Sequence, residues 1–455
     1  MSAQTIDVIE PATEQVLETV ATTDPGELDA IVARARAAQR EWHAAAPRDR
    51  AQALRRIADG LEAELDELAR LEARNVGMPI GDARFCVQSA ADTFRYCSAG
   101  PERLLGETIP VAGGVDMTFR EPIGVVGLIT PWNFPLMIES WKVAPALAAG
   151  NGVVLKPSEL TPLTAHALAR IGAAAGLPDG LFTVIHGEGP TVGRALVDHP
   201  GIGKIGFTGS TAVGKDIARR AAEKIARVTL ELGGKSASVV FADADLRAAA
   251  DGLRGAVFGN SGQDCCARSR VFVQRPAVEE FLGLLDEVVA GTVVGDPLDE
   301  ATHMGPLISA KQRDRVRGYV DGAPVRTTGS APDGPGYWFA PTVLHPIADD
   351  HPAAREEIFG PVVSVLPFDT EDEAVTRAND SVYGLAGSIW TGDAQRSLRV
   401  ARRIDAGALA VNSYSGVRVH TPFGGFKQSG TGRELGPHAV ESYTEVKNVF
   451  FSTGT

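Results

Sequence analysis

Cysteine is scarce, with only Cys86, Cys97, Cys265 and Cys266 in a chain of 455 residues. Four are too few for a disulfide framework at this length, and none shows the Cys-x-x-Cys or His spacing of a zinc site, so a reduced, cytoplasmic protein with no metal is expected. Basic charge is also short. Lys and Arg total 44 against 57 Asp and Glu, a formal net charge of −13, which repels phosphate backbones and anionic lipid and sets aside nucleic acid and membrane as partners. Long apolar runs are missing: residues 123–129 lead only to Pro131 and Asn133, well short of the ~20 residues that cross a bilayer. The N-terminal residues carry no basic segment leading into an apolar core, so no secretory leader is expected. What remains is the composition of a soluble globular protein, 44% hydrophobic with 50 glycines and 28 prolines, long enough for two or three domains.

Along the chain, Asp24-Pro25 opens a helix with Leu28, Ile31, Val32 and Ala35 at helical spacing, and a second follows Pro47 with Leu54, Ile57, Leu61, Leu65 and Leu68 as its stripe. Residues 106–121 read as a β-hairpin or arm around Gly113-Gly114. From 123 onward strands alternate with helices: strands at 123–129, 152–156, 181–186, 203–207 and 227–231, helices at 141–149, 161–175 and 211–222. A second α/β unit starts at 236–241, runs through a helix at 246–258 into the Cys265 loop, and continues with a strand at 270–274 and a helix ending near Val289. Residues 331–337 read as an exposed loop and 443–451 as a terminal strand. The expected fold class is α/β, with parallel sheets covered on both faces and ligands beyond the carboxyl ends of the strands.

Residues 260–270, Asn-Ser-Gly-Gln-Asp-Cys-Cys-Ala-Arg-Ser-Arg, place two of the four cysteines behind a Gly-Gln step. A thiolate attacks carbonyl carbon, and glycine permits the tight turn that presents such a side chain at a pocket mouth; a cysteine that is simply a small buried hydrophobe is the plain alternative. Asn133, between Pro131 and Pro135 after a strand, can offer an amide N–H to a developing oxyanion or be a turn residue. Lys156 and Glu159 follow another strand and otherwise read as an exposed charged pair. Phe207-Thr208-Gly209-Ser210 is a strand, turn and helix start suited to phosphate, although it lacks Gly-x-Gly-x-x-Gly and Ser210 can simply be an N-cap. Glu231-Leu232-Gly233-Gly234 puts a carboxylate at a strand end, as a general base needs.

Taken in this order the motifs resemble the aldehyde dehydrogenase superfamily over nearly the whole chain. The resemblance includes Glu356-Glu357-Ile358-Phe359-Gly360-Pro361, Asn379, Tyr383-Gly384-Leu385-Ala386, Asn412 and Pro422-Phe423-Gly424-Gly425-Phe426-Lys427-Gln428-Ser429-Gly430. It implies Cys265 as nucleophile with Cys266 as its flanking residue, Glu231 as general base, Asn133 as oxyanion donor and Lys142 as support. It also implies a Rossmann-like NAD-binding domain (1–103 and 123–233), a catalytic domain (234–430) and a small β oligomerisation element (104–122 and 437–455), hence a dimer or tetramer. The cofactor contacts it implies are Thr130, Trp132, Lys156, Ser158, Glu159, Gly189, Phe207, Thr208, Gly209, Ser210, Leu232, Gly233, Glu357 and Phe359.

The reaction so implied is oxidation of an aldehyde through a Cys265 thiohemiacetal and thioester, released as free acid because Glu231 is present where coenzyme-A-acylating relatives lack a glutamate. Glu159 accepts hydrogen bonds from ribose hydroxyls and repels a 2′-phosphate, so NAD is expected over NADP. A broad-specificity NADP enzyme and a non-catalytic binding protein of the same fold are the alternatives. By position Phe134, Ile138, Trp141, Val417 and Phe423 line an apolar tunnel beside Asp264 and Cys266. Arg418 and His420 fall near its mouth, and Arg418 points to an aldehyde with a remote carboxylate, a semialdehyde. Asp264 is the unexplained neighbour, since a carboxylate facing the thiol raises its pKa.

Overall fold

The structure, a computed structural model, describes residues 4–454. Two largely parallel sheets carry the chain. In the first, the order is Gly430–Thr431, Arg227–Glu231, Lys204–Thr208, Val125–Ile129, Gly152–Lys156, Phe182–Val184. Only the Gly430–Thr431 edge runs antiparallel, with Gly430 opposite Glu231. The Val125–Ile129 strand is buried along its whole length, which is why it reads as an unbroken apolar run rather than an alternating one. The second sheet has the order Val325–Thr328, Thr342–Leu344, Val362–Phe368, Arg270–Gln274, Ala237–Val240, Ala386–Trp390, Ala408–Val411, antiparallel only at its first pair.

A third, three-stranded sheet is built from Thr108–Val111, Gly114–Pro122 and Thr444–Ser452. The last strand pairs antiparallel with Gly114–Pro122 from Thr444 opposite Pro122 to Ser452 opposite Gly114. No helix among the described residues is long and apolar enough to cross a membrane.

The structure departs from the sequence reading in a few places. The stripe after Pro47 belongs to two helices, Pro47–Ala63 and Leu65–Val76, broken at Glu64 (φ −105°, ψ 18°). Apolar spacing is blind to such a break because both helices bury the same side. An N-terminal hairpin, Thr5–Glu10 with Gln15–Ala21, and a helix Ile80–Cys97 were not anticipated. The helix at 246–258 stops at Leu253, and Arg254–Phe258 continues as a wider turn into the Cys265 loop. Pro332–Pro335 are exposed as expected, but Tyr337 N–H donates to the Pro11 carbonyl and Gly336 N–H to Glu14 Oε1, so the end of that loop docks on the hairpin.

Helix Pro135–Ala148 positions the site, because Asn133 lies two residues before its start, with Phe134 at the N-cap. Its first turn needs acceptors for free N–H groups, and one comes from outside. Buried Glu72, on the Leu65–Val76 helix, accepts from Leu136 N–H and Thr164 Oγ1 through the same oxygen, each at 2.9 Å. Burial pushes this carboxyl up to about 7. Glu72→Ala strands both donors, so the urea midpoint is expected to fall by the equivalent of about 1–3 kcal/mol; an unchanged midpoint contradicts this tie.

Candidate active site

Cys265 is presented by a turn that most sequences could not make. Asn260, Ser261 and Gly262 have φ of 46°, 57° and 68°, three consecutive left-handed residues. Non-glycine residues adopt that conformation at a cost, and a Cβ at Gly262 would run into the Gly360 carbonyl. The turn is held from outside. Ser261 Oγ donates to the Gly305 carbonyl at 2.7 Å, and Gln263 Oε1 accepts from Ile308 N–H at 2.9 Å. Asn133 is tied to the same turn: its Nδ2 donates to the Gln263 carbonyl at 2.9 Å, and its own carbonyl accepts from Asn260 Nδ2 at 2.7 Å. An amide nitrogen carries two hydrogens, so one N–H of Asn133 remains for a ligand beside Cys265.

Three cavities meet here. The first, of about 260 Å³, is lined by Phe134, Ile138, Trp141, Val417, Arg418 and Phe423 together with Glu231, Asp264, Cys265 and Cys266. A second, of about 710 Å³, holds Thr130, Trp132, Lys156, Ser158, Glu159, Gly189, Phe207, Thr208 and Gly209. Between them a third, of about 210 Å³, is lined by Asn133, Ser210, Leu232, Gly233, Cys265, Glu357 and Phe359. Cys265 opens into the first and third, and Thr208 borders all three. His420, expected near the tunnel mouth, instead stacks edge-on against Tyr96 at 5.1 Å and lines none of these cavities. Lys142 also stays out of them: it is buried behind the wall and ion-paired to Glu434.

Glu231 is buried at the end of its strand, and neither carboxylate oxygen has a hydrogen-bond partner among the described residues. Gly424 leaves it room, since a Cβ there would stand 2.6 Å from Glu231 Oε1. Burial, then the Glu434 carboxylate, raise the Glu231 pKa well above the ordinary carboxylate range, while Lys142 and Arg433 pull it down. The Cys265 thiol is shifted in the same direction. The Cys266 thiol 3.9 Å away raises its pKa, followed by burial and the negative charge of Asp264 and Glu357. The direction of Asp264 is now clear: Oδ1 folds back onto its own turn and accepts from Cys266 N–H at 2.8 Å.

The second and third cavities suit a nicotinamide dinucleotide. Thr130 and Thr208 hydroxyls are buried there without partners, and the structure has polar groups waiting at both ends. Lys156 Nζ stands 3.6 Å from Glu159 at one end. At the other, Glu357 Oε1 accepts from Gly234 N–H at 2.9 Å, and a side chain at Gly233 would fill the space in front of that carboxylate. Phe359, at φ 59°, packs edge-on against Trp132 at 5.1 Å. Ser210 is indeed an N-cap, its Oγ accepting from Val213 N–H, and it also borders the third cavity.

The sequence profile described as the aldehyde dehydrogenase family matches residues 1–449. The chain belongs to the aldehyde dehydrogenase family. Among its relatives, betaine aldehyde dehydrogenase 1 of Rhizobium meliloti is 44% identical, covering 99% of this chain and 94% of that protein. The 2-hydroxymuconic semialdehyde dehydrogenase of Pseudomonas sp. is 41% identical over 98% of this chain and 96% of its own length. An NAD+ complex of aldehyde dehydrogenase from Bacillus cereus superimposes with a TM-score of 0.97 at 42% identity, covering 99% of this chain and 94% of that one.

As an aldehyde dehydrogenase the protein is an aldehyde-oxidising oxidoreductase of α/β fold, and its site includes residues that sequence reasoning missed. Gln312 and Arg315 border the third cavity on one face of helix Ala310–Val320, and Arg315 donates to the Glu357 carbonyl. Their i, i+3 spacing on a polar helix is no different from a solvated face. Glu434 is the other omission, a buried carboxylate whose partner Lys142 lies 292 residues away. It offers a direct test. In the role of base that the sequence resemblance implies, Glu231 must first lose its proton, so catalysis should rise with pH through its raised pKa. Glu434→Gln removes the repelling charge and leaves Lys142 uncompensated, and both changes favour ionised Glu231. The acid limb of the pH–kcat profile should therefore move to lower pH; no movement, or movement upward, contradicts this arrangement.

Proposed function

We propose that the protein uses NAD to oxidise an aldehyde carrying a remote carboxylate, a semialdehyde, to the corresponding acid, with Cys265 as nucleophile. The observation that carries this is the position of Cys265, opening on one side to an apolar cavity and on the other to the Gly233, Glu357 and Phe359 pocket. Cys265 Sγ attacks the aldehyde carbon, its proton passing to a nearby base or water, and the carbonyl electrons move onto oxygen. That oxygen is held by the spare Asn133 Nδ2–H and the Cys265 backbone N–H, donors fixed in place before charge develops. Lys156, Ser158, Glu159, Ser210 and Glu357 would hold NAD, which would supply the hydride acceptor. Loss of hydride from the thiohemiacetal leaves a thioester on Cys265. Glu231 takes a proton from water, the hydroxide attacks the thioester carbon, and the C–S bond breaks to release the acid.

NAD rather than NADP is supported by Glu159, whose carboxylate faces the cleft where a 2′-phosphate would sit, and by the NAD+ complex of the Bacillus cereus relative. Self-association to a dimer or tetramer is supported by the three-stranded sheet, where Met117, Phe119, Val446, Phe450 and Phe451 are exposed. The division into a cofactor domain, a catalytic domain and that β element is supported by the separation of the sheets.

The semialdehyde reading rests on Arg418. It is exposed at the cavity wall, makes no ion pair among the described residues, and its guanidinium donates a single hydrogen bond, to the Ser415 carbonyl at 3.3 Å. Its charge is thus available to a carboxylate at the far end of a substrate. The semialdehyde relative in Pseudomonas agrees with this. A second reading is favoured by other groups in the same wall: Asp82 and Asp264 with the rings of Phe85, Phe134, Trp141 and Phe423 suit a cationic aldehyde.

An aldehyde panel scored by NADH formation separates the two. Succinate semialdehyde should exceed a neutral aldehyde of equal length about 10-fold in kcat/KM, roughly 1.4 kcal/mol, and Arg418→Gln should erase the difference. Equal values overturn the semialdehyde reading, and a preference for betaine aldehyde over both establishes the cationic one.

A further inference from the structure

The nucleophile has neighbours that the oxidation does not use. Asp264, Cys265 and Cys266 are consecutive, all three border the cavity of about 260 Å³, and their ligand atoms lie within 4.8 Å of one another. Both cysteines are free thiols. Their sulfurs are 3.9 Å apart. A tetrahedral zinc with two sulfurs at about 2.3 Å requires them about 3.8 Å from each other, so the pair is already at the spacing of one chelated ion. Asp264 uses only one oxygen on Cys266 N–H, which leaves the second for a ligand bond.

We propose that the Cys265 and Cys266 thiols and the Asp264 carboxylate form a chelating site for a soft divalent cation, Zn2+ or Cd2+, entered through the substrate cavity, and that its occupation switches the enzyme off. Binding releases the two thiol protons to solvent and forms two metal–sulfur bonds and one metal–oxygen bond. With three protein ligands the fourth position goes to water, because the cavity side is open. Two thiolates and a carboxylate around a dication leave a net charge of −1. The Asp264 carboxylate beside the two sulfurs favours a bound dication. The metal ties up the sulfur that must attack the aldehyde, so inhibition is reversible and competes with substrate. Soft thiolate ligands select such ions over Mg2+ or Ca2+.

The site differs from a cysteine-spaced zinc motif, which is why ligand spacing along the chain gave no sign of it. Here the adjacent residues reach one point because the left-handed run before Gln263 ends in a turn, with Ala267 N–H donating to the Asp264 carbonyl at 3.0 Å.

The test is a titration of the full-length enzyme with Cd2+ alone in a non-chelating buffer, followed by cadmium–thiolate absorption in the ultraviolet and by bound metal per chain. One ion per chain with thiolate absorption is expected, along with loss of NADH formation that EDTA reverses. Cys266→Ser should weaken Cd2+ binding by more than about 100-fold and Asp264→Asn by about 10-fold or more, since even outer-sphere partners of a metal are worth about 10- to 100-fold. Inhibition in each variant is read as a fraction of its own metal-free rate, and retained NAD binding shows that it is folded. Wild-type Cd2+ affinity in folded Cys266→Ser, or one-to-one binding without thiolate absorption, overturns the site. Mg2+ at the same concentrations should neither bind there nor inhibit, and equal inhibition by Mg2+ also overturns it.

Discussion

Three consecutive left-handed residues before Gln263 are the constraint on which this site depends. Isolated, such a run is unfavourable for Asn260 and Ser261, and it persists because the surroundings over-determine it. The Gly305 and Ile308 backbone holds it from one side, the Gly360 carbonyl closes against Gly262, and the Asn133 loop is bonded to it in both directions. Cys265 and Asn133, the proposed nucleophile and oxyanion donor, are therefore parts of one hydrogen-bonded unit although they come from different sheets. A shift of the turn displaces both together, and the spare N–H of Asn133 keeps its place relative to the sulfur.

The second theme is charge held back. Burial and the Glu434 carboxylate raise the pKa of Glu231, and the neighbouring thiol and burial raise that of Cys265. Both shifts depend on the balance of nearby charge. Lys142 is central to that balance. It touches no cavity, yet its ion pair with Glu434 sets how strongly a second carboxylate acts on Glu231.

Much of this was legible in the chain. Continuous apolar strands alternating with amphipathic helices specify parallel sheets, and the chemistry-bearing residues sit at their carboxyl ends: Asn133, Glu159, Ser210 and Glu231. The order of those motifs carried the family. What escaped was whatever depends on packing between distant segments. Nothing near Lys142 announces Glu434, and nothing near Gln312 separates it from a solvated helix face. Periodicity ran across the break at Glu64 because both helices bury the same side. His420 was placed by proximity in sequence to Arg418, and its ring instead found Tyr96. The orientation of Asp264 could only come from the turn itself, where one carboxylate oxygen accepts from the Cys266 N–H while the group stays beside the two thiols.

The central claim is that Cys265 carries the acyl group and Glu231 removes it. Rapid mixing of Glu231→Gln with NAD and aldehyde, followed by acid quench and mass spectrometry of the peptides, tests it most directly. The account predicts a single burst of NADH close to one equivalent per active site, slow turnover afterwards, and the acyl mass on the peptide containing Cys265. No burst, steady-state turnover equal to wild type, or an acyl group on any other residue contradicts it.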